Sequence, residues 1–333
     1  MNNKNDVRPG KHSPLDRAFA LEAVRVTEAA AIAAAQQIGR GDEHAADQAA
    51  VEAMRKAFND LPISGTVRIG EGERDEAPML FIGEQVGIGG LAVDIALDPL
   101  EGTTLTAKAM ANALAVMAMA EPGTLLNAPD TYMDKIAIGG GYPEGTIDLD
   151  ADPIDNIKNL AKAKGVRTRD ITACIMDRPR HETLIAKVRE AGAAIKLITD
   201  GDVAGVIACT DPTTGIDIYM GIGGAPEGVL AAAALRCVGG QMQSRLVFRN
   251  DDERARAAKW GITDLKRKYS LLDMASGDVV FAATGVTDGS MLKGVHYQGN
   301  FITTHSVVMR SATHTVRWIE ARHVRSRHLK DER

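Results

Sequence analysis

Apolar residues recur at near-helical spacing from Leu15 onward, through Phe19, Leu21, Val24, Ala31 and Ile38, until Gly39-Arg40-Gly41 interrupts them. That spacing gathers the apolar side chains on one face and predicts a long helix with a glycine stop. A second helix is predicted from about His44 to Phe58, carried by Ala50, Val51 and Met54 and ended before Pro62, with Asp47 in its first turn. Short apolar runs bounded by glycine or proline predict strands at residues 66–70 and 91–97, each closing on acidic residues. Residues 112–120 are apolar without a period and fit a buried strand or a buried helix. Residues 139–155, dense in Gly, Pro and Asp, read as a junction or long surface loop.

Beyond that junction, strands are predicted at 171–176, 194–198, 216–220, 279–283 and 301–309, and helices at 182–191, 229–238 and 251–260. The alternation points to α/β layering. Residues 1–14, rich in Asn, Lys and Gly, read as a mobile arm. The basic segment 317–333 reads as solvated helix or tail. The folded part is expected to divide into lobes at 15–165 and 166–322, followed by a basic tail at 323–333. No internal repeat is present.

A chain of 333 residues, 45% apolar and 25% charged, has the composition of a globular protein with a sizeable core. Its formal net charge of −5 offers no basic excess to a phosphate backbone, so nucleic acid is not expected as a partner. Cys174, Cys209 and Cys237 lie far apart, without ligand spacing, and are read as reduced thiols in a cytoplasmic compartment. No run of about 18 apolar residues occurs, so no membrane span is expected.

The densest chemistry lies in Asp94-Ile95-Ala96-Leu97-Asp98-Pro99-Leu100-Glu101-Gly102-Thr103-Thr104. An apolar strand ends in Asp98, Pro99 interrupts the ladder because it has no N–H to donate, and Glu101 follows. Two carboxylates then share one small space, where they repel each other unless a cation such as Mg²⁺ or Mn²⁺ accepts their oxygens. The amides of the Gly102-Thr103-Thr104 turn can receive a phosphate, although the same pattern also describes a capped helix start. Glu71, Glu73, Asp75 and Glu76 crowd the end of an earlier strand, and Glu71 there matches the position of Asp98. Strand ends of open α/β sheets are where ligands bind.

Gly221-Ile222-Gly223-Gly224-Ala225-Pro226-Glu227-Gly228 leads from a strand into an alanine-rich helix. Pro226 spoils the dinucleotide pattern but suits a first helical turn, from which Glu227 can point at a metal or at the helix dipole. Arg178-Pro179-Arg180 supplies two guanidiniums after a strand, as phosphate recognition or as a solvated pair. Asp200-Gly201-Asp202 is compatible with sugar hydroxyls or with a simple turn. The histidines form no pair at four-residue spacing and no Gly-x-Ser-x-Gly elbow occurs, which disfavours zinc and acyl-enzyme chemistry.

At these residues the chain resembles the class II fructose-1,6-bisphosphatases, within the lithium-sensitive, magnesium-dependent phosphatases. The matching blocks are Gly39-Arg40-Gly41-Asp42 with Asp47, Ile69 to Met79, Asp94 to Thr103, Asn127-Ala128-Pro129-Asp130, Pro179-Arg180-His181, Asp200-Gly201-Asp202 and Gly221 to Gly228. The resemblance implies a layered α-β-α-β-α sandwich and hydrolysis of the 1-phosphate of fructose 1,6-bisphosphate with Mg²⁺ or Mn²⁺. It implies that Asp47 and Glu71 hold one ion, and Asp98, Glu101 and Glu227 a second. It further implies that Glu101, Gly102 and Thr103 touch the reacting phosphate, and that Tyr132, Arg178, Pro179, Arg180, Asp200, Gly201, Asp202 and Gly224 line the sugar and second phosphate. A homodimer or homotetramer is the implied assembly.

Two departures stand out. Glu43 occupies a place where many relatives carry Lys, and residues 85–91 are shorter than in several dual-specificity relatives, which favours fructose over sedoheptulose bisphosphate. Phosphate-monoester hydrolysis demands accelerations of up to ~10²¹, more than positioning alone provides. Metal ions must therefore contribute, and with the roles the resemblance implies, Thr103, Glu71 and Asp98 are the expected catalytic centre, with either a water or the Thr103 hydroxyl as nucleophile. A sedoheptulose-1,7-bisphosphatase or dual-specificity sugar bisphosphatase, an inositol or nucleotide phosphatase, and a non-catalytic metal- or phosphate-binding regulator are the alternative readings.

Overall fold

The computed structural model of the chain describes residues 15, 18–71 and 79–325. The arm expected at 1–14 and residues 326–333 of the expected tail lie outside them. Strands β1 (Ile63–Ile69), β2 (Gln85–Val86), β3 (Leu91–Glu101) and β4 (Leu114–Ala120) come first. They are followed by β5 (Tyr132–Ile138), β6 (Thr172–Met176), β7 (Ala194–Ile198), β8 (Ile218–Gly224), β9 (Gln241–Val247) and β10 (Tyr269–Ser270). Strands β11 (Val279–Gly285), β12 (His296–Gln298), β13 (Phe301–Arg310) and β14 (Thr315–Val324) close the chain. The helices are α1 (Ala18–Ala35), α2 (Glu43–Phe58), α3 (Thr103–Ala107), α4 (Pro153–Lys164), α5 (Glu182–Glu190), α6 (Asp202–Ala208), α7 (Ala225–Val238), α8 (Asp251–Lys259) and α9 (Leu271–Met274).

One sheet runs β12-β13-β11-β4-β3-β1-β2 with β14 on β13, and the other runs β10-β9-β5-β8-β6-β7. Alternation along β4 shows how they stack. Leu114, Val116, Ala118 and Ala120 face a core shared with α7 and the second sheet, while Ala115, Met117 and Met119 face a separate core with α1 and α2. In the second sheet Met133 and Ala137 of β5 point into the shared core, whereas Ile136 and Ile138 point toward α4 and α5. The order is therefore α1/α2, sheet, α6/α7, sheet, α4/α5, the expected five-layer sandwich. Helix α7 is apolar on every side because it lies between two sheets, and its run Ala231-Ala232-Ala233-Ala234 is wholly buried.

The predicted helices and strands are present with shifted ends. The first helix is shorter at both ends than its apolar period, and residues 112–120 resolve as the strand β4. Pro99 does not end β3. The strand pairs with β4 through Asp98, skips two residues as a bulge, and resumes at Glu101 opposite Leu114. The segment from Arg317 to Val324, expected as helix or tail, is most of β14, which pairs with β13 along its whole length. Along it Ile319, Ala321 and His323 are half-buried while Trp318, Glu320, Arg322 and Val324 are exposed, a strand period that the charged composition obscured. The chain enters the second sheet at β5 and returns to the first at β11.

Candidate active site

A cavity of about 380 Å³ opens at the carboxyl ends of β1 and β3, beside the starts of α6 and α7, and is lined by Asp47, Glu71, Asp98, Glu101, Gly102, Thr103, Asp130, Asp200, Asp202 and Glu227. Each acid arrives on a different element. Asp47 sits early in α2, whose start is fixed by Asp42 accepting the Ala45 N–H at 2.9 Å. Because β1 and β3 are parallel, their carboxyl ends emerge together and bring Glu71 and Asp98 to one edge. The β3 bulge turns Glu101 toward the same space. Asp202 begins α6, and Glu227 lies in the first turn of α7, where Pro226 fits without an N–H to satisfy.

Local backbone requirements hold these positions. A Cβ on Gly70 would stand 2.2 Å from the Leu80 carbonyl oxygen, so only glycine lets the chain pass close enough for the Glu71 N–H to donate to that oxygen at 3.0 Å. Gly102 has φ +92°, a left-handed conformation that lets the chain turn from Glu101 straight into α3. The Glu101 carboxylate accepts the Val203 N–H at 2.7 Å, which caps α6 in place of a side chain on Gly201. Asp98 accepts the Leu100 N–H at 3.0 Å inside the bulge.

Electrostatics in the cavity are dominated by burial and mutual repulsion. Burial, then the charges of Asp47, Glu227 and Asp130, pushes the Glu71 carboxyl up to about 7. Burial and Asp202 push Glu227 up to about 7 as well, with Lys135 pulling the other way. Asp98 and Glu101 are raised well above the usual carboxylate range, by burial first and then by Glu71 and Asp202 respectively. Burial also raises Asp47 and Asp200. One oxygen each of Glu101 and Glu227 is buried and meets no hydrogen-bond donor of the protein. Buried acceptors without donors are costly, and a cation relieves both this cost and the repulsion. An all-oxygen set suits a hard dication such as Mg²⁺ or Mn²⁺. Among the described residues no three of these side chains enclose an ion unaided; such ions also use water and substrate oxygens as ligands.

Several expected site residues lie beside this cavity rather than on its wall. Arg180 donates twice to the Ile222 carbonyl, at 3.1 and 2.7 Å, and stacks at 4.9 Å on Tyr132. Arg178, just ahead of Pro179, draws the Asp200 carboxyl downward against its burial, while Glu43 pushes it up. Gly224 presents its carbonyl to Lys135 at 2.8 Å. Gly201 supplies the left-handed turn before α6. Gly72, Glu73, Asp75 and Glu76 of the acidic turn lie outside the described residues. The sequence reading gave no role to Asp130, Lys135, His181 or Arg249. Arg249 stacks on Tyr132 at 4.4 Å and is held by buried Glu253. His181 accepts the Ile222 N–H on Nε2 at 2.8 Å and so donates from Nδ1 to Met176, which fixes a neutral ring between β6 and β8. Lys135 directly follows Asp134 in β5, so the local sequence gave no sign that its side chain is buried.

Five stacked layers with an acidic cavity at the strand ends define an α/β sandwich built for oxygen-ligand chemistry. The chain belongs to the family of bacterial, glpX-encoded fructose-1,6-bisphosphatases, whose family model matches residues 17–323. It is 46% identical over 322 residues to fructose-1,6-bisphosphatase 1 class 2 of Escherichia coli strain K12, a match covering 92% of this chain and 95% of the relative. The class 2 enzymes of Escherichia coli O6:H1 and Shigella flexneri are similar to the same extent.

Proposed function

We propose that this chain hydrolyses the 1-phosphate of D-fructose 1,6-bisphosphate to fructose 6-phosphate and phosphate, with Mg²⁺ or Mn²⁺ bound in the acidic cavity. The observation that carries the reading is the ring of Asp47, Glu71, Asp98, Glu101 and Glu227 around one cavity. The identity to relatives named for that substrate supports it. In this reading Asp47 and Glu71 hold one ion, and Asp98, Glu101 and Glu227 hold another. A bound dication neutralises the phosphoryl oxygens and lowers the pKa of water. Glu101, Gly102 and Thr103 seat the reacting phosphate. The Thr103 hydroxyl orients the attacking water and Glu71 accepts its proton. The new P–O bond forms as the bond to the C1 oxygen breaks; that oxygen takes a proton from solvent, and the proton held by Glu71 returns to solvent. Tyr132, Arg178, Pro179, Arg180, Asp200, Gly201, Asp202 and Gly224 bind the sugar and the second phosphate.

A phosphate-release panel tests both parts of the reading. Release from fructose 1,6-bisphosphate is expected to exceed that from sedoheptulose 1,7-bisphosphate and from an inositol monophosphate. Glu71→Ala and Asp98→Ala are expected to lower it by on the order of a hundredfold or more, with an unchanged circular dichroism spectrum. Near-normal rates in either variant remove that residue from the mechanism, and preference for the inositol phosphate removes the substrate.

A further inference from the structure

Lys135 occupies the middle of β5 on the face shared by Met133 and Ala137, where the strand period calls for an apolar residue. Its side chain is 1% exposed, and it is the only buried lysine among the described residues. The ammonium pairs with the buried carboxylate of Asp202 and donates to the Gly224 carbonyl at 2.8 Å. Both partners border the acidic cavity: Asp202 lines it, and Gly224 precedes the helix that carries Glu227. Asp202 is the strongest charged neighbour raising both Glu101 and Glu227, and Lys135 is the cationic side chain that opposes it at Glu227.

A buried ammonium is expensive unless paired, and a structural role alone would be met as well by an apolar side chain. A cation behind a cluster of carboxylates does something an apolar residue cannot: it removes one negative charge from the field seen by a dication. We propose that Lys135 is a charge-compensating positioning residue, which holds Asp202 out of the cation-binding set, aims it toward the substrate, and limits how tightly the cavity grips a divalent ion. The inference rests on the reading of the cavity as a metal centre. A weaker grip favours turnover, since an ion bound by an extra carboxylate has fewer positions left for phosphate oxygens and water.

The consequence separates this role from a purely structural one, because loss of Lys135 should tighten metal binding while slowing the reaction. Mn²⁺ binding is measured by electron paramagnetic resonance on chelator-stripped full-length chain, alongside kcat for fructose 1,6-bisphosphate. Lys135→Met is expected to lower the Mn²⁺ Kd on the order of tenfold, through unit-charge interactions in a partly screened site, and to lower kcat by a similar factor. Adding Asp202→Asn removes the uncompensated carboxylate and is expected to return the Kd to near its original value while kcat stays low. Lys135→Gln, which keeps hydrogen-bonding capacity, carries the measurement if the Met variant does not fold. An unchanged or weakened Mn²⁺ affinity in the folded variant overturns the proposal, as does tightening that persists in Lys135→Met/Asp202→Asn or failure of both single variants to fold. Failure of the unmodified chain to bind Mn²⁺ overturns the metal-centre reading and this inference with it.

Discussion

At the scale of single residues, the cavity stores unfavourable electrostatics. Glu71 and Glu227, pushed to about 7, hold protons in the metal-free folded chain that an unfolded chain releases near the ordinary glutamate value of 4.5. Raised carboxyls contribute stability that is fully present below about 4.5 and is lost as pH rises through about 7. His181 and His305, both lowered by burial, act with the opposite sign in the lower part of that window, but they are two groups against several raised carboxyls. The melting temperature of chelated protein should therefore fall from pH 5 to pH 7.5. The fall should be shallower in Glu71→Gln, and saturating Mg²⁺ should offset it more at pH 7.5 than at pH 5. A melting temperature that rises steadily over this range would contradict the electrostatic account. Glu71, Asp98, Glu101 and Glu227 were legible in the sequence because each stands beside Gly or Pro near the end of an apolar run, whereas Asp47 sits in a helix between Ala46 and Gln48 and entered through the family resemblance. Lys135 and Arg249 acquire meaning only from what β5 and β9 place next to them, which no local pattern states.

At the scale of elements, strand ends and helix starts do the positioning. Glu71 depends on the close passage of Gly70 past Leu80, and there the clashing atom is backbone that cannot rotate away. Gly70→Ala should cost about 2 kcal/mol in unfolding free energy. By moving Glu71, it should also slow turnover on the order of a hundredfold. Denaturant melts and initial rates check the two effects separately, and a fully active, stable variant would show that β1 does not set the position of Glu71. Elements with a clean period, such as α2 and β4, were readable from sequence. The α4 helix was not, because its start lies in a Gly/Pro/Asp-rich stretch, although Asp152 caps it and Pro153 opens it. The β14 strand was hidden by its charge, and the β3 bulge by the expectation that proline ends a ladder.

At the scale of the whole molecule, the sandwich makes one cavity from distant segments. Asp47 comes from the outer α1/α2 layer, Glu71, Asp98 and Glu101 from the first sheet, and Asp202 and Glu227 from the middle helix layer. The excursion of the chain into the second sheet between β5 and β10 supplies both middle helices, so the site cannot form until the two sheets have closed on α7. The strand–helix alternation pointed to α/β layering and the family resemblance to its five-layer order, whereas the crossing back at β11 requires long-range pairing that sequence does not display. Among the described residues no helix is long and apolar enough to cross a membrane. The central claim is that these gathered carboxylates work through a divalent ion, and the most direct measurement is phosphate release from fructose 1,6-bisphosphate as Mg²⁺ or Mn²⁺ is titrated into chelator-stripped protein. The account predicts negligible release without the ion and saturable recovery as it is added; release that persists in excess chelator, or none with either ion, would contradict it.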